Sequence, residues 1–351
     1  MADPSQLHAE LAAAGGRFAT WFDRPAAADF GEPRAEYDAL VNHVGLVDCS
    51  SRTQLELTGA DRGKFLHNLS TQEIRKLPEG RGGEAFLLNA RGHVLAHALV
   101  FCQPDALIIE TVPGQGPRLA EHLDRYHIRE DVVIADRSDD WSELLIAGAQ
   151  APAWLAAFVK AELPSEPLAH VDIPLGDIPL SVRRVAWTAD GGFLISTPSE
   201  HAARLWRALR DAGARPCGFD ALEAARLEAG TPWYGRDIND KNLPQEVGRD
   251  PLAISFVKGC YIGQETVARI DALGHVNKLL VGVRFPHGDR APEPGTELTS
   301  AGQSVGQVTS SAISPKLGSP LALAYVRRGH HEPGTQFDTA QGPAEVIALP
   351  L

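Results

Sequence analysis

The chain has 351 residues, 33 Lys plus Arg against 45 Asp plus Glu, and a net charge of −12. Length predicts about two or three folded units, and the acidic balance excludes general nucleic-acid binding, which rests on Lys and Arg. Apolar residues at 44% and charged residues at 22% exclude a disordered chain; no run reaches the roughly 18 apolar residues of a membrane span, and the N-terminus has no secretory pattern, so a cytoplasmic protein is expected.

The segment 1–35 is rich in Ala, Gly and Pro and reads as a loosely held lead-in. Thr53–Thr58 alternates like a strand. Asp61 then caps a helix that carries Phe65, Leu66 and Leu69. Glu84–Leu88 and Val94–Phe101 read as strands joined by the turn Asn89-Ala90-Arg91-Gly92, whose glycine suits a left-handed position. Further strands are expected at Leu107–Val112, Val132–Ala135 and Leu144–Ala147. Helices are expected at Pro117–Tyr126 and Ala151–Lys160. Leu180–Trp187 and Phe193–Thr197 flank the turn Asp190-Gly191-Gly192. Ser199 caps a helix with Leu205, Trp206 and Leu209, and Asp220 with Glu223 starts another that stops at Gly230. Strands and helices without regular βαβ alternation point to an α+β fold. From about residue 276 only short strands separated by Gly and Pro remain, which reads as an all-β barrel.

Several chemistries are absent. There is no P-loop, no G-x-S-x-G, no H-E-x-x-H and no dinucleotide fingerprint. Cys49, Cys102, Cys217 and Cys260 form no C-x-x-C pair, so neither a disulfide framework nor a closed zinc site is expected. His330-His331 sits in a Gly/Pro-rich loop and reads as a solvated turn, so no metal is assigned. One segment differs: Lys258-Gly259-Cys260-Tyr261-Ile262-Gly263-Gln264-Glu265. If the helical run Gln264–Ile270 begins near Gly263, Cys260 lies before its positive end, with Lys258 two residues away. Both features favour thiolate over thiol. The alternative is an inert thiol in a glycine-bracketed turn.

The stretch Ile254–Leu280 resembles the signature of the YgfZ family, folate-binding-fold proteins tied to iron–sulfur cluster assembly and repair. That family is related to the T-protein, the aminomethyltransferase of the glycine cleavage system. The resemblance extends over most of the chain, through Tyr37–Leu69, Leu87–Val100 and Ala225–Asp237 (ARLEAGTPWYGRD). It implies a three-lobed fold, with two α+β lobes over 36–275 around a central cavity and a barrel over 276–351.

Two departures separate this chain from T-proteins. Their G-G-x-x-D-D run, whose Asp assists methylene transfer, is here Gly92-His93-Val94-Leu95-Ala96-His97. Ala cannot move a proton; His97 is either a base or a structural side chain. Their Y-T-G-E-x-G-F-E run, whose last Glu holds the pterin, ends here in Leu194, with Asp190 as a candidate substitute. The resemblance therefore implies a non-covalently bound tetrahydrofolate and an accessory role for iron–sulfur client enzymes, such as the radical enzymes that thiolate tRNA. The missing acids speak against a one-carbon transferase; a non-catalytic folate-binding scaffold is the third reading. The implied working residues are Cys260, with Lys258 lowering its pKa, and Tyr261, Gly263, Gln264, Glu265, Arg226, Trp187 and Asn89 as ligand-binding candidates. Arg226 has the alternative of a helix ion pair, and Trp187 and Tyr234 the alternative of core packing.

Overall fold

The computed structural model describes residues 5–351. Its elements begin with α1 (Ser5–Ala13), β1 (Arg17–Trp21), β2 (Arg24–Asp29), α2 (Pro33–Asn42) and β3 (Gly45–Asp48). Next come β4 (Thr53–Thr58), α3 (Arg62–Leu69), β5 (Gly82–Leu88), β6 (Val94–Cys102), β7 (Ala106–Thr111), α4 (Gly116–Asp124) and β8 (Val133–Asp136). The middle continues with β9 (Trp141–Ala147), α5 (Ala151–Val159), β10 (His170–Leu175), β11 (Ile178–Val185), β12 (Gly192–Pro198), α6 (Ser199–Asp211), β13 (Arg215–Pro216) and α7 (Phe219–Glu228). A 3-10 turn (Pro244–Val247), α8 (Asp250–Ala253) and α9 (Gln264–Leu273) lead into β14 (Lys278–Arg284), β15 (Glu297–Ser300), β16 (Gln303–Ser314), β17 (Ser319–Arg327), β18 (Gln336–Thr339) and β19 (Gly342–Ile347).

These form an α+β molecule of three parts. One lobe carries the sheet β5-β6-β7-β4-β8, a second carries β10-β11-β12-β9-β3-β13, and β14–β19 close into a barrel. The two lobes are interleaved in sequence. The chain lays down β3 in the second lobe, leaves to build β4–β8, and returns with β9, which pairs antiparallel with β3. Both sheets are covered on both faces, which explains why β7 and β9 read as nearly continuous apolar runs. No helix of the described residues is long and apolar enough to cross a membrane.

The expected loose lead-in is a correction, apart from residues 1–4, which lie outside the described residues. Leu7 and Leu11, one helical turn apart, bury themselves beside Leu205 and Trp206 of α6. The β1–β2 hairpin brings Trp21 onto Phe219 with ring centroids 3.8 Å apart. Alanine, which dilutes the apolar pattern in sequence, is the best helix former and allows this close packing.

Candidate functional site

The face of the first lobe that meets the second is set by strand alternation. On β6, Ala96 and Ala98 belong to the core beneath the sheet, whereas Leu99 and Phe101 belong to the core shared between the lobes. His97 therefore faces the inter-lobe space, where a cavity of about 480 Å³ opens. Trp187, Trp233 and Tyr234 bring aromatic surface to its wall, and Leu99 and Leu252 add aliphatic surface.

Charged groups on that wall are tied to one another. Glu84 on β5 accepts Arg249 Nε on Oε1 at 2.7 Å and Arg249 Nη2 on Oε2 at 2.5 Å. The same Oε1 meets His97 Nε2 at 2.7 Å. Burial opposes the charge of Glu84, but His97 and Arg249 outweigh it and hold its pKa at about 2. Arg52 pairs with Glu110, both buried, and its guanidinium lies 4.4 Å from the Trp187 ring centroid. Behind them Arg183 donates to Glu143 Oε1 at 2.7 Å. Burial and the neighbouring Glu110 push Glu143 up to about 8, against the pull of Arg183 and Arg52.

A second network fixes the aromatic wall. Arg226 is fully buried; it forks onto Glu223 at 3.0 and 2.6 Å and reaches Asp237 Oδ2 at 2.5 Å. Burial opposes its charge, yet Asp237 and Glu223 hold it more firmly protonated than usual. Asp237 Oδ2 also accepts the backbone N–H of Trp233, and its Oδ1 accepts the hydroxyls of Thr309 and Ser310 on β16. Arg226 thus joins α7, the cavity aromatic and the barrel. Tyr234 accepts a hydrogen bond from Arg118 Nη1 at 2.8 Å.

The loop before α9 lies outside the cavity lining. The helix starts at Gln264, as its composition predicts, and Cys260 is exposed. Lys258 is buried; its Nζ donates to the carbonyls of His67, of Ser70 at 2.6 Å and of Gln72 at 2.9 Å. An ammonium has three N–H groups, so all are committed to the 67–72 segment and none remains for the thiol. The expectation that Lys258 activates Cys260 is corrected accordingly: Lys258 is the bolt of the loop. Burial pushes Lys258 down to about 7, against the pull of the Glu73 carboxylate. The other thiols are poorer nucleophiles, since burial raises the pKa of Cys49, Cys102 and Cys217.

The GCVT N-terminal domain matches residues 6–255, and the glycine cleavage T-protein C-terminal barrel domain matches residues 278–351. The chain belongs to the glycine cleavage T-protein family. An aminomethyltransferase of Nostoc sp. is 31% identical over 332 residues, with 92% of this chain and 86% of that protein covered. One of Streptomyces avermitilis is 29% identical over 358 residues, with 98% and 95% covered. The fold is that of the glycine cleavage system aminomethyltransferase T from Bartonella henselae, with TM-score 0.89 at 20% identity, covering 98% of this chain and 96% of that one.

Placed in this T-protein-family fold, the residues singled out from sequence separate. Trp187 lines the cavity. Arg226 does not; it serves the ion pairs just described. Asn89 is taken up by its own turn, where its Oδ1 accepts the N–H groups of Arg91 and His93. Tyr261 packs into the inter-lobe core, with Lys258 Nζ 4.8 Å from its ring centroid, and burial pushes it up to about 12. Gly263 takes φ +80° where a Cβ would sit 2.7 Å from the Asn89 carbonyl oxygen, so it lets α9 abut the β5–β6 turn. Gln264 and Glu265 open α9, Glu265 exposed. Leu194 is sealed in the inter-lobe core, and Asp190 is exposed in its turn outside the cavity lining, so Asp190 is no substitute for a pterin-holding acid. Among the described residues no cluster of three or more His, Cys, Asp or Glu is arranged to hold a metal.

The cavity residues missed from sequence are Glu84, Arg249, Arg52 and Glu110. For two of them a signal exists: Glu84 in GGEAFLL and Glu110 in ALIIET are single charges inside apolar strands, which a buried site explains better than a solvated face.

Proposed function

We propose that this protein binds a reduced folate of the tetrahydrofolate class in its central cavity and serves iron–sulfur enzymes through Cys260. The observation that carries the first half is the cavity itself. Its volume of about 480 Å³, its flat aromatic walls and its few fixed polar groups suit a planar heterocycle. The folate fits this wall by stacking more than by paired acids, because Leu194 and Ala96 stand where T-proteins carry carboxylates. The second half is supported by the K-G-C-Y-I-G-Q-E run, which resembles the YgfZ branch. It is also supported by the placement of Cys260 on an outer loop beside Val257, an apolar side chain 97% exposed and without a cover of its own. An exposed thiol there is available to a client enzyme as a cluster, sulfur or redox contact.

A second reading, a tetrahydrofolate-dependent aminomethyl transferase, is favoured by the relatives described as aminomethyltransferases, which match over nearly the whole chain. Against it stands the loss of both acids at positions 96 and 97, since losing a positioned acid or base typically slows proton transfer by about 10²–10⁴-fold. Calorimetric titration of tetrahydrofolate into wild type and Cys260→Ala, together with iron–sulfur enzyme activity in a deletion strain, tests the two. Retained binding with lost support of the iron–sulfur enzymes is the expected result. Methylene transfer to tetrahydrofolate within about tenfold of an authentic T-protein would establish the second reading instead.

A further inference from the structure

The pair of acids typical of T-proteins is absent, yet a carboxylate has returned to the same cavity wall from the neighbouring strand. Glu84 lies diagonally across the β5–β6 ladder from His97: Phe86 pairs with His97, and Glu84 with Leu99. This carboxylate is itself unavailable as a base. One oxygen receives both His97 and Arg249, the other receives the second Arg249 nitrogen.

What Glu84 does instead is fix the imidazole. A carboxylate only accepts hydrogen bonds, so the His97 nitrogen that faces it, Nε2, must carry the proton. In the neutral ring the lone pair then belongs to Nδ1. Among the described residues that atom has no hydrogen-bond partner, and it is not among the polar atoms sealed from solvent. The ring lines the cavity. Its orientation is held further by Phe86, whose ring centroid lies 5.0 Å away, while Thr111 Oγ1 donates to the His97 backbone carbonyl at 2.7 Å and ties down the strand that carries it. A rigid acceptor is thus presented to whatever enters.

We infer that His97 is a ligand-positioning residue of the central cavity: Glu84 and Arg249 lock its Nε2–H, and its Nδ1 accepts a hydrogen bond from a ring N–H of the bound reduced folate. The inference rests on the folate reading above and gives that cavity a directional contact in place of the acids it lacks. It accounts for an arrangement that a structural histidine does not need, namely a fully satisfied Glu–Arg fork devoted to one face of an imidazole whose other face is left free. Besides Glu84 and Arg249, the charged groups on the walls around it are Arg52, Glu110 and Glu73.

The test separates the two nitrogens. Gln at position 97 reproduces Nε2 and keeps the bond to Glu84, but presents no acceptor in place of Nδ1. Asn reproduces Nδ1 with its amide oxygen and gives up Glu84. Tetrahydrofolate is titrated into wild type, His97→Gln and His97→Asn at pH 7.5, with circular dichroism to verify folding. His97→Gln is expected to weaken binding about tenfold and His97→Asn to recover to within about threefold of wild type. Binding by His97→Gln within about twofold of wild type overturns the inference and leaves the folate reading standing. Failure of wild type to bind tetrahydrofolate overturns both.

Discussion

The central cavity and the Cys260 loop share one stretch of chain, residues 67–73, yet they hold charge in different ways. Gln72 and Glu73 line the cavity, and the Gln72 carbonyl takes one hydrogen bond from Lys258. In the cavity, side-chain charges face one another in pairs: Glu84 with Arg249 and Arg52 with Glu110. In the loop, a single charge is held by backbone carbonyls, and the thiol beyond it stands open. Paired charges in a closed place cost about as much to break as they cost to bury. A side chain bolted to backbone fixes a loop without altering the chemistry of its neighbours. The cavity therefore owes its properties to side chains far apart in sequence, and the loop owes its properties to one contiguous motif.

The largest effect expected from breaking this contrast lies on the cavity side. Arg226→Leu leaves Asp237 buried without its cation and Glu223 with only the partly exposed Arg236 at 3.3 Å, and it removes the link through Asp237 to Thr309 and Ser310 of the barrel. Removing one partner of a buried pair costs about 3–5 kcal/mol. Urea unfolding followed by tryptophan fluorescence is expected to shift accordingly, because Trp233 lies against this guanidinium at 5.2 Å. A loss below about 1 kcal/mol would mean that the network is solvated in solution and that the barrel is held by its apolar contacts.

On the loop side the effects are smaller and kinetic. Brief iodoacetamide treatment of the native protein, read by mass spectrometry, is expected to label Cys260 at least about 100 times faster than Cys49 or Cys217, which are buried and react only after opening. Lys258→Met then sharpens the comparison. If Lys258 is the bolt, its loss raises proteolysis within residues 254–263 about tenfold, while Cys260 labelling at pH 7.5 stays within about twofold. If Lys258 instead assists the thiol, labelling falls and the cleavage pattern stays unchanged.

The same contrast decides what was legible in the sequence. The barrel, the strands around Asn89–Gly92 and the start of α9 at Gln264 follow from local period and turn chemistry. The interleaving of the lobes does not, because β3 looks like any other short apolar run and only tertiary pairing with β9 assigns it to the second sheet. The K-G-C-Y-I-G-Q-E motif stands out as a continuous string, but sequence proximity misassigns Lys258: two residues from Cys260 in the chain, its ammonium is spent on the carbonyls of His67, Ser70 and Gln72. Arg226 misleads in a related way, since a motif arginine beside a cavity is the same in sequence whether it touches a ligand or an aspartate. Arg249 gives no local signal at all; its role exists only because the loop after the 3-10 turn crosses β5.

The smallest predicted effect concerns the buried carboxyl of Glu143 and turns on its sign. An unfolded Glu titrates near 4.3, whereas burial beside Glu110 pushes Glu143 up to about 8 in the folded protein. Between these values the native state holds a proton that the unfolded chain has released. Stability contributed by this group is therefore present at low pH and is lost as pH rises toward 8. Glu143→Gln keeps a carbonyl oxygen to accept Arg183 Nη1 and removes the titration. Its stability relative to wild type should grow by at least about 1 kcal/mol between pH 5 and pH 8, measured by urea unfolding at both ends of the range. A gap that narrows as pH rises would mean that Glu143 is already ionised in the fold. The pair would then behave like Glu84 with Arg249, and the contrast between a carboxylate held charged on the cavity wall and one held neutral behind it would disappear.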